Sequence, residues 1–188
     1  MQEKIYLRPL CLSDINKKYL FWVNDPLVTE NLEIGKQRLT HSDLVRYVED
    51  SPKKGRHNYA IITKNSQQHI GNSSIYSIEL DKSKFQIGLL IGEKKFWGEF
   101  YYSLVNFKLL KIAFIEMGLE KCIAYVNETN IKARMTNKFL GYKEIKKINQ
   151  YNKKRNKNIT IIKLEFTKKD WLKNKEVLCS RYPEFYEV

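Results

Sequence analysis

The stretch Ile87-Gly88-Leu89-Leu90-Ile91-Gly92 leads within a few residues into Phe96-Trp97-Gly98, and this combination decides the fold. The first part is a short apolar run, which predicts a buried strand. Residues 98–117 are mostly apolar and are closed by a glycine, which predicts a long helix. We expect this helix to lie flat on the sheet to which the strand belongs, with Lys108 and Lys111 on its exposed stripe.

The residues before this strand predict further strands and two helices. Residues 4–10 predict a strand, and Ser13 is predicted to cap a helix that ends at Asn24-Asp25-Pro26. A second helix is predicted after Thr40, because Thr40-x-x-Asp43 is a capping-box pattern. Strands are predicted at 57–63, 70–78 and 84–91, and we expect them to form an antiparallel meander.

The residues after the long helix predict a strand, a helix and a hairpin. The strand is expected at Lys121–Val126, and the helix at Asn130–Leu140 with Gly141 as its left-handed cap. Two strands at 142–148 and 159–166 surround the polar tip 149–158. A capping pattern at Thr167 then opens a terminal helix. We find no repeat or linker, so we predict one domain over residues 1–188, with 167–188 as a helical tail.

Composition and charge limit the classes of function. The chain has 188 residues, of which 43% are hydrophobic, and no apolar run is long enough to cross a bilayer. The N-terminus lacks a signal-peptide core, so we expect a cytoplasmic protein. The three cysteines show no metal-type spacing, and we expect thiols and no metal site. The formal charge of +13 indicates either an anionic partner or the lysine-rich usage of an AT-rich genome.

Four pieces of the sequence, in this order, resemble the GCN5-related N-acetyltransferase (GNAT) superfamily. They are Leu7-Arg8-Pro9-Leu10 with Ser13-Asp14, Trp22-Val23-Asn24-Asp25-Pro26, the strand-to-helix stretch quoted above, and Asn127-Glu128-Thr129-Asn130-Ile131-Lys132-Ala133 running to Leu140-Gly141-Tyr142. The spacing resembles the branch that includes ribosomal-protein acetyltransferases and nucleotide-amino-sugar N-acetyltransferases. The resemblance implies an α/β (α+β) fold, with a central mixed, mostly antiparallel sheet of about seven strands flanked by helices.

The resemblance also implies acetyl-CoA as co-substrate. The N-terminus of a helix can hold a pyrophosphate through its free backbone N–H groups, and residues 94–103 supply such a terminus. Glycines of the family's phosphate loop are replaced by Phe100 and Tyr102, and we still expect binding. The expected cofactor-binding residues are Leu89, Leu90, Ile91, Lys94, Lys95, Phe96, Trp97, Gly98, Glu99, Phe100, Tyr101, Tyr102, Ser103, Asn130 and Asn137.

Acetyl transfer to an amine requires an acceptor for the amine proton, an oxyanion donor and an acid for the thiolate. The resemblance places the oxyanion donor on the strand backbone near Leu89 to Ile91. It places Asn137 at the position of the tyrosine that usually acts as the acid in the family. Candidate catalytic residues are Glu79, Tyr125 and Asn130, although Tyr125 also fits a core position and Asn130 a helix cap. His69 is a further candidate base. Residues Trp22, Asn24 and Asp25 match the segment that borders the family's substrate cleft.

The expected function is acetyl-CoA-dependent N-acetylation of a primary amine. Residues 145–164 carry seven basic and no acidic side chains, and in this fold the hairpin borders the acceptor cleft. This charge favours an anionic acceptor such as a nucleotide-linked amino sugar, with a protein N-terminus as the alternative acceptor. A degenerate, non-catalytic binding module remains a second class. We find no nucleic-acid-binding motif and expect neither a membrane nor a specific nucleic-acid partner, and a homodimer is left open.

Overall fold

The structure is a computed structural model that describes residues 3–32, 37–152 and 156–185. Its strands are β1 (Ile5–Pro9), β2 (His57–Thr63), β3 (His69–Glu79), β4 (Lys84–Ile91), β5 (Lys121–Asn127), β6 (Lys143–Asn152) and β7 (Lys157–Thr167). Its helices are α1 (Lys17–Asn24), α2 (Pro26–Thr29), α3 (His41–Asp50), α4 (Glu99–Lys111), α5 (Ile131–Leu140) and α6 (Lys168–Arg181). Within the described residues, no helix is both long and apolar enough to cross a membrane.

The strands form one seven-stranded sheet in the order β1-β2-β3-β4-β5-β7-β6. The pairs β1–β2, β2–β3, β5–β7 and β6–β7 are antiparallel, and β4 pairs with β5 in parallel. This confirms the predicted mixed sheet flanked by helices and the α/β class. By internal contacts the chain forms two units, Met1–Ser77 with Gly88–Gly98, and Ile78–Ile87 with Glu99–Val188.

The first helix begins later than the sequence predicted. Asn16 is the cap of α1, because its Oδ1 accepts hydrogen bonds at 3.0 Å from the backbone N–H groups of Lys18 and Tyr19. Ser13 instead lies in a 3₁₀ turn, Leu12–Asp14, that precedes the helix. Asp14 fixes this turn, since its carboxylate is bound by the Arg8 guanidinium at 2.6 and 2.7 Å.

The end of α1 and the start of α3 agree with the local signals in the sequence. Helix α1 stops at Asn24 as predicted, and the next residue, Asp25, caps α2 by accepting from the Leu27 N–H at 2.9 Å. Helix α2 was not predicted, although a proline directly after an aspartate is a typical helix start. Thr40 and Asp43 form the predicted capping box of α3.

The predicted long helix of residues 98–117 is two segments in the second unit. Helix α4 is followed by a π-helical segment, Ile112–Glu116. Within this unit Phe114 lies edge-on to Phe85, with ring centroids 5.4 Å apart. The prediction that Lys108 lies on an exposed stripe was wrong, because Lys108 is only 8% exposed. The helix is apolar around most of its circumference, so its lysine stem lies among buried neighbours.

Helix α5 and the β6–β7 hairpin complete the second unit. Asn130 caps α5 by accepting from the Ala133 N–H at 3.1 Å, and Gly141 ends it at φ +101°, as predicted. The hairpin strands are longer than expected and replace most of the predicted tip. Of that tip, residues 153–155 lie outside the described residues.

Candidate active site

Strand β4 lies against β3 at two glycines of the first unit. A Cβ on Gly71 would lie 2.2 Å from the Leu90 carbonyl oxygen, and a Cβ on Gly88 would lie 2.8 Å from the Ser74 hydroxyl. Neither position has room for a side chain. At Gly71 the absence of a Cβ lets the backbones of β3 and β4 approach each other, and this positions the segment from Leu89 to Ile91 on which the resemblance places the acetyl donor.

The end of β4 is fixed by two tryptophans. The Trp97 indole Nε1 donates to the Ile91 carbonyl at 2.8 Å, so this carbonyl is already occupied. A Cβ on Gly92 would lie 2.0 Å from the Trp22 ring, and the Gly92 N–H donates to the Ile70 carbonyl at 2.9 Å. Of the expected cofactor-binding segment, Leu89 is partly exposed, whereas Leu90 and Ile91 are buried.

Two of the three residues expected to contact the acceptor are held inside the first unit. Trp22 is 2% exposed, and its Nε1 donates to the Glu93 carboxylate at 3.3 Å. Lys18 also binds that carboxylate, at 3.1 Å. The Asn24 amide nitrogen donates to the Leu39 carbonyl at 3.0 Å, and its oxygen accepts from the Leu39 N–H at 2.8 Å. These contacts give Trp22 and Asn24 a structural role within the first unit.

The third residue, Asp25, forms an ion pair with Lys94 at 2.8 Å. The hydrogen bond from Lys94 is the main cause of a lowered pKa at Asp25. Lys95 donates to the Gln68 side-chain oxygen at 3.0 Å. The two lysines expected near the cofactor phosphates therefore differ, since Lys94 contacts a carboxylate directly, whereas Lys95 contacts a neutral amide oxygen and interacts electrostatically with Glu3.

The predicted phosphate loop contains one position at which the backbone conformation requires glycine. Gly98 has φ +150° and is exposed, and no heavy atom outside its chain neighbours lies within 4 Å of a Cβ at this position. Preceding it, Phe96 is 5% exposed. In the second unit Phe100 lies edge-on to Tyr101, with ring centroids 5.3 Å apart. The open backbone at Gly98 fits the close approach of a phosphate group.

The other expected cofactor residues in the second unit differ in exposure. Tyr101, Ser103 and Asn137 are buried, at 9%, 2% and 7% exposed. Burial raises the pKa of Tyr102. Asn130 is partly exposed. Its side-chain oxygen caps α5, and its amide nitrogen makes no hydrogen bond to any described residue. The Asn130 amide nitrogen is therefore a donor that the described residues do not use.

The candidate catalytic residues Tyr125 and Glu79 lie in different surroundings. Tyr125 is 51% exposed, so the alternative that it is a core tyrosine was wrong. Glu79 binds Lys82 and Lys84, each at 2.9 Å. These hydrogen bonds lower the pKa of Glu79, the one from Lys84 most. A carboxylate with a lowered pKa is a weak proton acceptor at neutral pH, so the contacts indicate that Glu79 stabilises its turn.

His69 lies beneath α1 in the first unit. Its ring is edge-on to Trp22, with centroids 5.1 Å apart, and its Nε2 contacts the Gly71 carbonyl at 3.0 Å and the Asn72 amide oxygen at 2.9 Å. Burial is the main cause of a lowered pKa at His69. The ring is therefore neutral at pH 7. No group of three or more potential metal-ligating side chains occurs in the described part of the chain.

Glu93 and Lys18 were not predicted from the sequence. They meet because the turn after β4 lies beside the first turn of α1, and no spacing pattern links residues so distant in sequence. A mixed sheet whose fourth strand packs closely at Gly71, continued through an open loop into a helix, is the arrangement that the resemblance to acetyl-CoA-dependent acetyltransferases implies.

A family model confirms this class. The model described as acetyltransferase (GNAT) domain matches residues 4–143, and the chain belongs to this family. The predicted superfamily and the enzyme class, an N-acetyltransferase, are therefore confirmed. A comparison with curated protein sequences finds no match.

Solved structures agree on the fold. A spermidine N-acetyltransferase from Vibrio cholerae in complex with CoA and spermine has a TM-score of 0.80 and 14% identity, over 90% of this chain and 98% of that one. A putative acetyltransferase from T. thermophilus has a TM-score of 0.76 and 22% identity, over 97% and 95%. A GCN5-related N-acetyltransferase from Brucella melitensis has a TM-score of 0.73 and 14% identity, over 91% and 79%.

Proposed function

We propose that the protein transfers the acetyl group of acetyl-CoA to the primary amine of an anionic acceptor, and that this acceptor is a nucleotide-linked amino sugar. The observation that carries the acceptor class is a row of side chains across the second unit. Tyr125 on β5 is paired with Lys163 on β7, and Lys163 is paired with Lys146 on β6. Directly paired residues project from the same face of a sheet, so the two lysines are neighbours.

Like charges in directly opposite positions destabilise a sheet. Among the described residues, no carboxylate lies within 4.0 Å of the ammonium nitrogen of Lys146 or Lys163. Other lysines nearby have a carboxylate partner: Lys143 binds Asp170, and Lys147 binds Glu128, each at 2.6 Å. The unfavourable pair is relieved when an anion binds across it.

This charge argues against a polyamine acceptor, although spermine is bound in one similar structure. A polycation would meet the uncompensated charges of Lys146 and Lys163 and would be repelled. A diphosphate-linked sugar would be attracted, and the exposed Tyr125 ring beside Lys163 offers a surface for a sugar or a base. The basic residues 153–155 at the tip, which supported the same acceptor, lie outside the described residues.

The donor side of the proposal rests on the first unit. When bound, acetyl-CoA supplies a thioester whose carbonyl is attacked by the neutral amine, so that a C–N bond forms and the C–S bond breaks. We propose that the backbone of Leu89 to Ile91 holds the donor arm and that Gly98 provides phosphate contacts. The amine proton passes to solvent, and the thiolate takes a proton from solvent.

The acceptor class is tested by kinetics with one nucleotide-linked amino sugar, one ribosomal-type N-terminal peptide and one polyamine. For the amino sugar, Lys146→Ser with Lys163→Ser should raise KM about fivefold to tenfold and leave kcat nearly unchanged, because uniform binding is lost. The control is Lys169→Ser with Lys173→Ser, two exposed lysines of α6 that remove the same charge. Equal KM values in both double variants, or turnover of the polyamine only, would contradict the proposal.

A degenerate binding module is the second candidate. It is favoured by the aromatic residues Phe100 and Tyr102, which stand at glycine positions of the family's phosphate loop. It is also favoured by Asn137, which stands in place of the tyrosine that acts as the general acid. Binding of acetyl-CoA without turnover of any acceptor in the screen would support this candidate.

A further inference from the structure

Arg56 lies directly before β2, where the first unit brings polar and aromatic side chains together. Its guanidinium carbon lies 4.2 Å from the centroid of the Tyr76 ring. Its Nη1 donates to the Ser74 hydroxyl at 3.1 Å and to the Tyr47 hydroxyl at 3.3 Å. Tyr47 belongs to α3, and Ser74 and Tyr76 belong to β3. We call these four residues the Arg56 cluster.

A chain of hydrogen bonds holds the Arg56 cluster in place. The Tyr47 hydroxyl donates to the Asn58 amide oxygen at 2.9 Å, and the Asn58 amide nitrogen donates to the Ser51 hydroxyl at 2.8 Å. The Ser51 hydroxyl in turn donates to the Tyr47 backbone carbonyl. The backbone N–H of Arg56 donates to the Ser51 carbonyl at 2.9 Å. The groups that position the guanidinium are therefore fixed themselves, which lowers the entropic cost of binding a ligand there.

Arg56 keeps most of its hydrogen-bonding capacity. A guanidinium has five N–H donors, and the two hydrogen bonds to hydroxyl groups use only the pair on Nη1. In the parts of the chain that the structure describes, no group accepts from Nε or Nη2, and no carboxylate lies within 4.0 Å of the guanidinium. Arg56 is partly exposed. Its Nε–Nη2 edge can therefore donate two parallel hydrogen bonds to a carboxylate or a phosphate group.

The Arg56 cluster lies beside β4, next to the segment proposed to hold the acetyl donor. A Cβ on Gly88 would lie 2.8 Å from the Ser74 hydroxyl and 3.4 Å from the Tyr76 ring. Because residue 88 is glycine, β4 places no side chain against the cluster at this point. Leu89, where the donor segment begins, is the next residue of the strand. This position favours the acetyl acceptor as the molecule that supplies the anion.

We propose that Arg56 determines specificity for the acetyl acceptor by binding its carboxylate or phosphate group through the Nε–Nη2 edge. The Tyr76 ring fixes the plane of the guanidinium, and the hydroxyls of Tyr47 and Ser74 fix its orientation. A carboxylate and a phosphate present the same kind of oxygen atoms to this edge, so both are sources of the oxyanion. The assignment to the acetyl acceptor rests on the proposed function, whereas the binding of an oxyanion at Arg56 does not.

The experiment follows the Arg56 Nε–H signal by NMR while inorganic phosphate or acetate is added, with neither acetyl-CoA nor an acetyl acceptor present. Arg56→Lys keeps the charge but loses the planar fork, and it identifies the signal by its absence. We expect the wild-type signal to shift and to saturate, whereas chloride at equal ionic strength gives no saturating shift.

The variant measures what the fork contributes. In Arg56→Lys, the backbone amide signals of Ser74 and Tyr76 should report binding that is about tenfold weaker, because charge-assisted hydrogen bonds are lost. The control is Arg46→Lys, at an arginine of α3 whose side chain is 71% exposed, and it should bind the anions like wild type. The wild-type titration needs no variant, so it decides the proposal even if Arg56→Lys does not fold.

The outcomes separate the two sources of the oxyanion. Saturation with phosphate alone supports a phosphate group, saturation with acetate alone supports a carboxylate, and saturation with both supports an oxyanion that either group supplies. An Arg56 signal that saturates with neither anion, or an equal loss of affinity in Arg46→Lys, would overturn the proposal.

Kinetics then test the assignment to the acetyl acceptor. Arg56→Lys should raise the KM of the acceptor about tenfold and leave the KM of acetyl-CoA unchanged, because binding of the acceptor alone is weakened. An unchanged acceptor KM would overturn this assignment. Absence of turnover in the wild-type protein would contradict the proposed function, and the anion titration would still decide whether Arg56 binds an oxyanion.

Discussion

The Arg8–Asp14 pair should make the stability of the protein depend on pH in a defined way. Asp14 is 6% exposed, and its carboxylate accepts two hydrogen bonds from Arg8 and one from the Cys11 N–H at 2.9 Å. Burial alone would raise the pKa of Asp14, but the hydrogen bonds outweigh it and lower the pKa from 3.8 to about 2. We predict that Asp14→Asn destabilises the fold at neutral pH.

The magnitude follows from the lowering of the pKa. One pKa unit corresponds to about 1.4 kcal/mol, so the full lowering is equivalent to roughly 2.5 kcal/mol. The Arg8 side chain is 37% exposed and solvent screens its charge. We therefore expect Asp14→Asn to reduce the free energy of unfolding by about 1–2 kcal/mol at pH 7.

The sign of the pH dependence follows from the folded pKa lying below the unfolded one. The ionised Asp14 carboxylate stabilises the fold fully above its unfolded pKa of 3.8, and this stabilisation disappears as the pH falls through about 2. Urea denaturation should therefore give a difference between wild type and Asp14→Asn that is about halved at pH 3 and absent below pH 2. Asp81→Asn, at a side chain 73% exposed, serves as the control. A difference that stays constant from pH 7 to pH 2 would refute the reasoning.

Three further predictions concern the donor, a glycine and the turn after β3. Saturation with acetyl-CoA at a hundred times its Kd should stabilise the protein by about 2.7 kcal/mol, and a thermal midpoint that does not move would refute donor binding. Gly92→Ala should cost about 1–3 kcal/mol in urea denaturation, because its Cβ would lie 2.0 Å from the Trp22 ring; wild-type stability would show that Trp22 moves freely. Glu79→Gln should change kcat less than about tenfold, because Lys82 and Lys84 hold this carboxylate ionised, whereas loss of a working general base costs about a hundredfold or more.

Local signals in the sequence predicted much of the fold. The bounds of β2 and β4 agree with the predicted strands 57–63 and 84–91, because polar turn residues interrupt the apolar runs on the sides that connect to β3. The caps at Thr40, Asn130 and Thr167 were predicted because each depends on a hydrogen bond to a residue three positions later. All three cysteines are free thiols, as expected.

The features that could not be predicted depend on contacts between distant residues. The exposure of Tyr125 depends on what covers one face of β5. The pairing of Lys146 with Lys163 depends on a register that shifts between Glu144 and Lys146, and no local pattern shows where a strand bulges.

The residues of the candidate site also divide into those with a local sequence signal and those that depend on contacts between distant residues. Gly98 and Asn130 were predicted because a loop glycine and a helix cap have local signatures. The ion pair of Asp25 with Lys94 and the contact of Trp22 with Glu93 were not predicted, because each joins elements that are far apart in the chain. The residues expected to bind the acceptor are consequently occupied by contacts that only the structure shows.

Strand β6 is the last strand of the sheet, so one side of its backbone is an open edge. Such an edge is a template on which a second chain can add its own strand, and this is a common route to aggregation. The edge of β6 carries Lys143, Lys146 and Lys147 and a bulge, which both disfavour edge-to-edge pairing by charge and by shape. Removing these lysines would therefore cost solubility, and a cell that makes much of this protein is protected from its aggregation by the charges along this edge.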